Sequence, residues 1–175
     1  MPTADAAIRL RGAISSTPDT FIQAKNLHHG FDFRPGFWDW IVRENAAGRV
    51  FSIEKVGDEL EAGSDELADW TRARGGSLFL APDSGTLPAL GKVSSWVTSH
   101  GYAPAAVSAF LQVADYYLVA QALALGHIVV THEQPAPQSI RKIKIPDVCI
   151  GLGIKCMRPF EMLRKERARF VLATR

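Results

Sequence analysis

Two acidic residues, Asp115 and Glu133, flank the clearest helix-and-strand pair that this sequence predicts. The segment that begins at Asp115 is almost continuously apolar up to Gly126, and the next segment reads His-Ile-Val-Val-Thr. At the standard rises the helix climbs roughly 17 Å, and the strand up to Glu133 returns about 20 Å. Because these lengths nearly match, we expect Asp115 and Glu133 to meet at one edge of a sheet.

Other oxygen-bearing residues fall where predicted strands end. Thr17 and Asp19 follow the first strand, and Thr131 ends the strand before Glu133. Glu59 lies in the early turns of the helix that follows the strand predicted over 49–53. In parallel α/β sheets, ligands bind outside the carboxyl ends of the strands. Converging oxygen ligands suit a hard divalent cation, and carboxylate-held Mg²⁺ or Mn²⁺ can activate water and neutralise the charge of a phosphodiester.

The same acids also have purely structural explanations. Asp115 stands where the helix dipole favours an acid at the N-terminus. Glu59 lies beside two other acids and fits a solvated helix face. Asp147 either adds a carboxylate to the pocket or caps the short helix that it begins.

Basic residues follow the Glu133 loop closely. Arg141, Lys142 and Lys144 would form a phosphate-binding rim beside an acidic pocket, which an RNA-binding site needs. A second basic cluster, over 158–169, fits a solvated helix face equally well. The net charge of +2, from 20 basic and 18 acidic residues, neither indicates nor excludes nucleic-acid binding, because the placement of the charge decides.

Turn signals divide the chain into alternating strands and helices. The pattern predicts strands within 7–14 and over 49–53, 77–80, 127–131 and 154–156, and helices over 20–27, 37–47, 54–62, 65–74, 87–100, 105–114, 115–125, 145–152 and 160–172. This alternation predicts an α/β fold, a three-layer α/β/α sandwich with a mostly parallel central sheet. The strand after Gly126 is apolar on both faces and belongs inside such a sheet.

The length and composition indicate a globular protein. A chain of 175 residues is one domain's worth, so we expect a single domain over 1–175, with 1–13 as an atypical N-terminal extension. Its 47% hydrophobic and 22% charged residues exclude disorder for most of the chain. Two cysteines are too few for a secreted disulfide scaffold. Without an apolar signal core or an apolar run of membrane length, the sequence predicts a cytoplasmic protein.

Three stretches resemble a PIN-like domain. Residues 19–25, Asp-Thr-Phe-Ile-Gln-Ala-Lys, are similar to the opening Asp-x-Asn-hydrophobic segment of that family, and 52–60 resembles its strand-to-helix segment ending in Glu-Leu. Residues 115–133 resemble its Asp, apolar helix, Gly, apolar strand, Thr-x-acid signature, which is the most specific of the three. With 145–149 and 155–163, which resemble a bacterial branch of PIN-like proteins, the likeness covers 14–172.

The resemblance implies a fold and an activity. Members of the family commonly act as ribonuclease toxins of toxin–antitoxin pairs, so RNA is the implied substrate and an antitoxin the implied protein partner. Glu59, Asp115 and Glu133 match three of the family's acids, and Thr131 matches a polar residue that often precedes the last one. The resemblance therefore implies that these acids hold Mg²⁺ or Mn²⁺ in a cytoplasmic bacterial enzyme, with no membrane partner and with a homodimer among its expected assemblies.

The chain departs from the family pattern at its front. With Phe21 kept in register, the first family Asp falls on Thr17, and Asp19 falls on the following Asn position. Either Asp19 substitutes as a fourth ligand, or the site has lost a central charge on which cation affinity depends. The second case implies a catalytically weakened protein that binds RNA or an antitoxin.

Overall fold

Five parallel strands form the centre of the part of the chain that the computed structural model describes, residues 14–172. The strand order is β3-β2-β1-β4-β5. The strands are β1 Ile14–Ser16, β2 Val50–Ile53, β3 Phe79–Leu80, β4 Ile128–Val130 and β5 Cys156–Met157. Each neighbouring pair runs parallel, so all carboxyl ends lie at one edge.

Helices fill the connections between the strands. They are α1 Pro18–Gln23, α2 Pro35–Ala46, α3 Glu54–Glu61, α4 Glu66–Arg72, α5 Gly75–Leu78, α6 Thr86–Ser99, α7 Pro104–Leu111, α8 Ala114–Leu125, α9 Ile145–Leu152 and α10 Pro159–Lys165, and a π-helical turn, Ala24–His28, continues α1. Strands alternating with helices in a parallel sheet confirm the expected α/β class and its three-layer arrangement.

The helix α8 is the packing centre of the molecule. It contacts β2 and β4 of the sheet and lies against α3 and α6, and Leu118, Val119 and Ala120 are fully buried. Gly126 ends this helix in the left-handed region at φ 71°, which glycine adopts without a Cβ penalty. The chain therefore turns back at once into β4, as the sequence predicts.

The central strand β1 is polar. Ser15 and Ser16 are buried, and their polar groups have partners: the Ser15 hydroxyl lies 2.8 Å from Nδ1 of His127, and the Ser16 carbonyl accepts a bond from the Ser52 hydroxyl at 2.7 Å. Hydrogen-bonded polar groups can be buried at small cost. The strand predicted within 7–14 overlaps the described strand, Ile14–Ser16, at Ile14, and residues 7–13 lie outside the described part of the chain.

Two other predicted elements differ in extent. The strand expected over 77–80 is only Phe79–Leu80, because a helical turn, Gly75–Leu78, precedes it. The last helix ends at Lys165 instead of 172, since Arg167 takes a left-handed φ of 51° that breaks the helical backbone.

No single helix within 14–172 is long and apolar enough to cross a membrane. The pair α7 and α8 meets the length and composition criteria together, but it is bent by 71° at the break.

Candidate functional site

A cavity of about 650 Å³ opens at the carboxyl ends of β1 and β4. Three of the predicted acids line it, Asp19, Asp115 and Glu133. Its remaining wall consists of polar and loop residues, Thr17, Gln23, Thr131, His132, Gln134, Pro135, Ala136, Lys144 and Ile145. The antiparallel return of α8 into β4 brings Asp115 and Glu133 to the same edge, as the lengths of the two elements predict.

Asp115 is the most perturbed of these acids. It lies in the first turn of α8 and is partly buried. Burial, followed by repulsion from Glu133, Glu59 and Asp19, raises the pKa of its carboxyl to about 7, while Lys142 acts in the opposite direction. Three carboxylates thus lie within electrostatic reach of Asp115, and protonation of Asp115 relieves part of the repulsion.

Glu133 is held in place from two sides. Its Oε1 accepts a bond from the Lys144 ammonium at 2.8 Å, and its Oε2 accepts one from the Ile145 amide at 2.9 Å. Its own amide donates to the Thr131 hydroxyl at 3.1 Å. Lys144 is half-buried like Glu133, and this bond raises the pKa of its ammonium. The carboxylate is therefore oriented, and the Lys144 ammonium already balances its single negative charge.

Glu59 contacts the start of α8 next to the cavity. Its Oε1 accepts a hydrogen bond of 3.0 Å from the amide of Ala114, the residue immediately before Asp115. This bond satisfies one of the free amides at the start of α8. Glu59 is thus an N-terminal partner of the Asp115 helix, and it does not line the main cavity.

Asp19 and Thr17 occupy the front of the site. Both Asp19 oxygens accept bonds from the Gln23 amide group, at 2.8 and 2.9 Å. The fully buried Thr17 caps α1, with its hydroxyl 3.0 Å from that of Thr20. Asp19 therefore lines the cavity from the first turn of the helix, while Thr17 supplies an uncharged oxygen.

The other predicted polar residues divide into separate groups. Asp147 is buried, and both of its oxygens accept from the Ala136 amide, at 3.2 and 3.0 Å, so it anchors the loop and does not line the main cavity. Arg141 and Lys142 line a smaller neighbouring cavity, whereas Lys144 lines the main one.

His132 lines the cavity although strand alternation predicts that it points away from the acids. The strand ends at Val130, so the two-residue alternation no longer applies to His132. Burial lowers the pKa of its imidazole, and Asp19 opposes this shift. Its ring also lies 5.9 Å from that of His28. Gln23 is a second lining residue that the sequence did not predict. Its position four residues after Asp19 on a helix places the two side chains next to each other and could have revealed it.

The oxygen atoms that line the cavity are chemically suitable ligands for a hard divalent cation. Carboxylate and hydroxyl oxygens are the preferred protein ligands of Mg²⁺ and Mn²⁺. The raised pKa of Asp115 reflects burial first and then neighbouring negative charge, which a cation would neutralise. Over 14–172, however, no group of three or more His, Cys, Asp or Glu side chains has the geometry of a finished metal site.

The chain matches a protein family described as a domain of unknown function, DUF4411, over residues 18–170. Because this match spans most of the sequence, the chain belongs to that family. Comparisons with curated proteins and with solved structures gave no match.

Proposed function

We propose that this DUF4411 protein is a PIN-like, metal-dependent ribonuclease. It would hydrolyse RNA phosphodiester bonds in the bacterial cytoplasm as the toxin of a toxin–antitoxin pair. The observation that carries the proposal is that Asp19, Asp115 and Glu133 line one cavity at the carboxyl edge of a parallel sheet. Burial and the neighbouring carboxylates raise the pKa of Asp115 there. Mutually repelling acids cost stability, and acids with such perturbed pKa values cluster at functional sites. The resemblance to PIN-like domains supplies the reaction class.

Each residue has a distinct part in this proposal. A bound Mg²⁺ or Mn²⁺ would supply Lewis acidity and lower the pKa of water. Asp115, Glu133 and Asp19 would hold that ion from the cavity wall. Glu59 would fix the start of α8 through its 3.0 Å bond to Ala114, and so position Asp115.

Lys144 would keep Glu133 oriented. Their bond of 2.8 Å is charge-assisted and therefore stronger than a neutral hydrogen bond. The uncharged Thr17 and Thr131 complete the polar lining of the cavity. Neither adds negative charge that would repel an RNA phosphate.

The test is cleavage of a fluorescently labelled RNA in Mn²⁺ buffer, with an EDTA blank. We expect Asp115→Asn and Glu133→Gln to lower the rate by roughly a hundredfold or more, because several kcal/mol of charge stabilisation depend on the ion. Matched controls are Asp39→Asn and Glu61→Gln, which change exposed acids on other parts of the surface. Equal rates for Asp115→Asn and Asp39→Asn would rule out the proposed active site.

A second candidate function is a catalytically weakened PIN-like protein that binds RNA or an antitoxin. It is favoured by Thr17, which is fully buried and engaged with Thr20 where the family pattern has its first Asp. Thr17→Asp separates the two candidates, because aspartate also caps helices well. An inactive wild type that gains Mn²⁺-dependent cleavage through this substitution identifies the weakened protein, and a wild type that already cleaves excludes it.

A further inference from the structure

A second cavity, of about 260 Å³, adjoins the proposed active site. Asp115 and Glu133 line both cavities. The two openings therefore meet at the pair of acids that would carry the reaction. A ligand that occupied both would cross those acids.

The floor of the second cavity is apolar. It is formed by α7 and the residues that follow it, including the buried Ala106 and Phe110 and the partly exposed Val113. The buried Ile143 contributes from the facing loop. The volume lies below the roughly 300–1,000 Å³ of pockets for drug-sized ligands, so the space suits a single ring system.

Two cations form the opposite wall. Arg141 and Lys142 are exposed, and among residues 14–172 neither has an ion-pair partner. Lys144, two residues further on, is by contrast paired with Glu133. Lys142 also lies within electrostatic reach of Asp115. The wall thus offers unpaired positive charge next to the acids.

The loop that carries these cations is tied to α7. The amide of Ala103, which caps that helix, donates to the Ile140 carbonyl at 2.8 Å. The Lys142 amide donates to the Ser139 hydroxyl at 3.2 Å. The backbone of both walls is therefore positioned before any ligand arrives, which lowers the entropic cost of binding.

We propose that this second cavity is a nucleotide subsite for single-stranded RNA. Arg141 and Lys142 hold the phosphate next to the scissile one, and the base of that nucleotide enters the apolar space over Phe110. A base can enter such a cavity only when it is unpaired and unstacked, so duplex RNA is excluded. The inference rests on the proposed function, because it assigns the substrate class of the same site.

The test is equilibrium binding of a fluorescein-labelled 12-nucleotide RNA in EDTA, measured by anisotropy so that cleavage plays no part. Arg141→Gln/Lys142→Gln should weaken binding at least fivefold. It should reduce the salt slope by roughly 0.7, since both cations hold one phosphate and each neutralised phosphate of a single strand contributes about 0.7. The charge-matched control, Arg164→Gln/Lys165→Gln, removes two exposed cations from α10. It should change the affinity less than twofold.

The apolar floor has its own matched pair. Ala109→Leu fills the cavity from an exposed position on α7, and Ala105→Leu adds the same bulk to an exposed position outside it. We expect the first to weaken binding at least threefold and the second to leave it unchanged. Equal affinities for this pair, or equal binding of the RNA and its duplex, would overturn the subsite.

The two proposals fail separately. Metal-dependent cleavage without any loss of binding in Ala109→Leu would retain the nuclease and refute the subsite. Selective binding of single-stranded RNA without cleavage would retain the subsite and refute the nuclease.

Discussion

At the scale of single residues, Asp115 links stability to pH. Its pKa rises from 3.8 to about 7 in the folded protein, so between these values the folded state keeps a proton that the unfolded state has lost. The folded state then binds more protons, and stability falls as pH rises through this window. The stability that the protonated Asp115 carboxyl contributes is fully present below about pH 4 and lost above about pH 7.

Asp115→Asn tests this linkage in the metal-free protein. The amide cannot ionise, so the variant should gain stability relative to wild type as pH rises from 4 to 8. The gain should reach a few kcal/mol, at about 1.4 kcal/mol per unit of pKa shift. Urea unfolding in EDTA at several pH values measures it, with Asp39→Asn as control. A difference that does not change with pH would contradict the raised pKa.

The same scale shows what the sequence could predict about the site. The placement of Asp115 and Glu133 follows from one helix and the strand after it, because both lengths can be read from adjacent residues. Glu59 could not be assigned so simply, since its partner amide at Ala114 is distant in the chain. The prediction that His132 points away from the acids was wrong, because it extended the alternation of the strand beyond the end of β4 at Val130.

At the scale of elements, the approach of α9 to α6 depends on Gly151. A Cβ at this position would overlap the indole of Trp96, which is itself stacked 3.8 Å from His100. The helix α9 begins with Ile145, whose amide binds Glu133. Close packing of these two helices therefore helps to fix the wall of the proposed active site.

Gly151→Ala should lower the free energy of unfolding by about 1–3 kcal/mol, the usual cost of overpacking. The matched control is Gly91→Ala in α6, where a Cβ would meet open space. That substitution should raise stability by about 0.5–1 kcal/mol, because alanine is the better helix former. Thermal unfolding measures both, and a neutral or stabilising Gly151→Ala would contradict the close approach.

The elements that the sequence predicts best are those with a purely local signal. The bounds of α9, Ile145–Leu152, agree with the prediction, and β4 lies inside its predicted range. The strand β1 carries no such signal, because Ser15 and Ser16 are buried through hydrogen bonds and not through apolar side chains. The partners of those serines, His127 and Ser52, are remote in sequence, so tertiary structure alone determines the strand.

At the scale of the whole molecule, the proposed active site joins distant parts of the chain. Its acids come from α1, α8 and the loop after β4, with Glu59 supporting them from α3. In the unfolded chain these residues are far apart. An ion held among them would therefore bind the folded state selectively and stabilise the entire fold.

Mn²⁺ should accordingly raise the melting temperature of the wild type. At a concentration 100-fold above its dissociation constant, the gain is about 2.7 kcal/mol, or roughly 5–10 °C for a domain of this size. Asp115→Asn and Glu133→Gln should lose most of the shift, and Glu61→Gln should keep it. Because ligating carboxylates must be deprotonated and the pKa of Asp115 is about 7, the wild-type shift should be smaller at pH 6 than at pH 8. Equal shifts in wild type and Asp115→Asn at both pH values would show that any bound metal lies elsewhere.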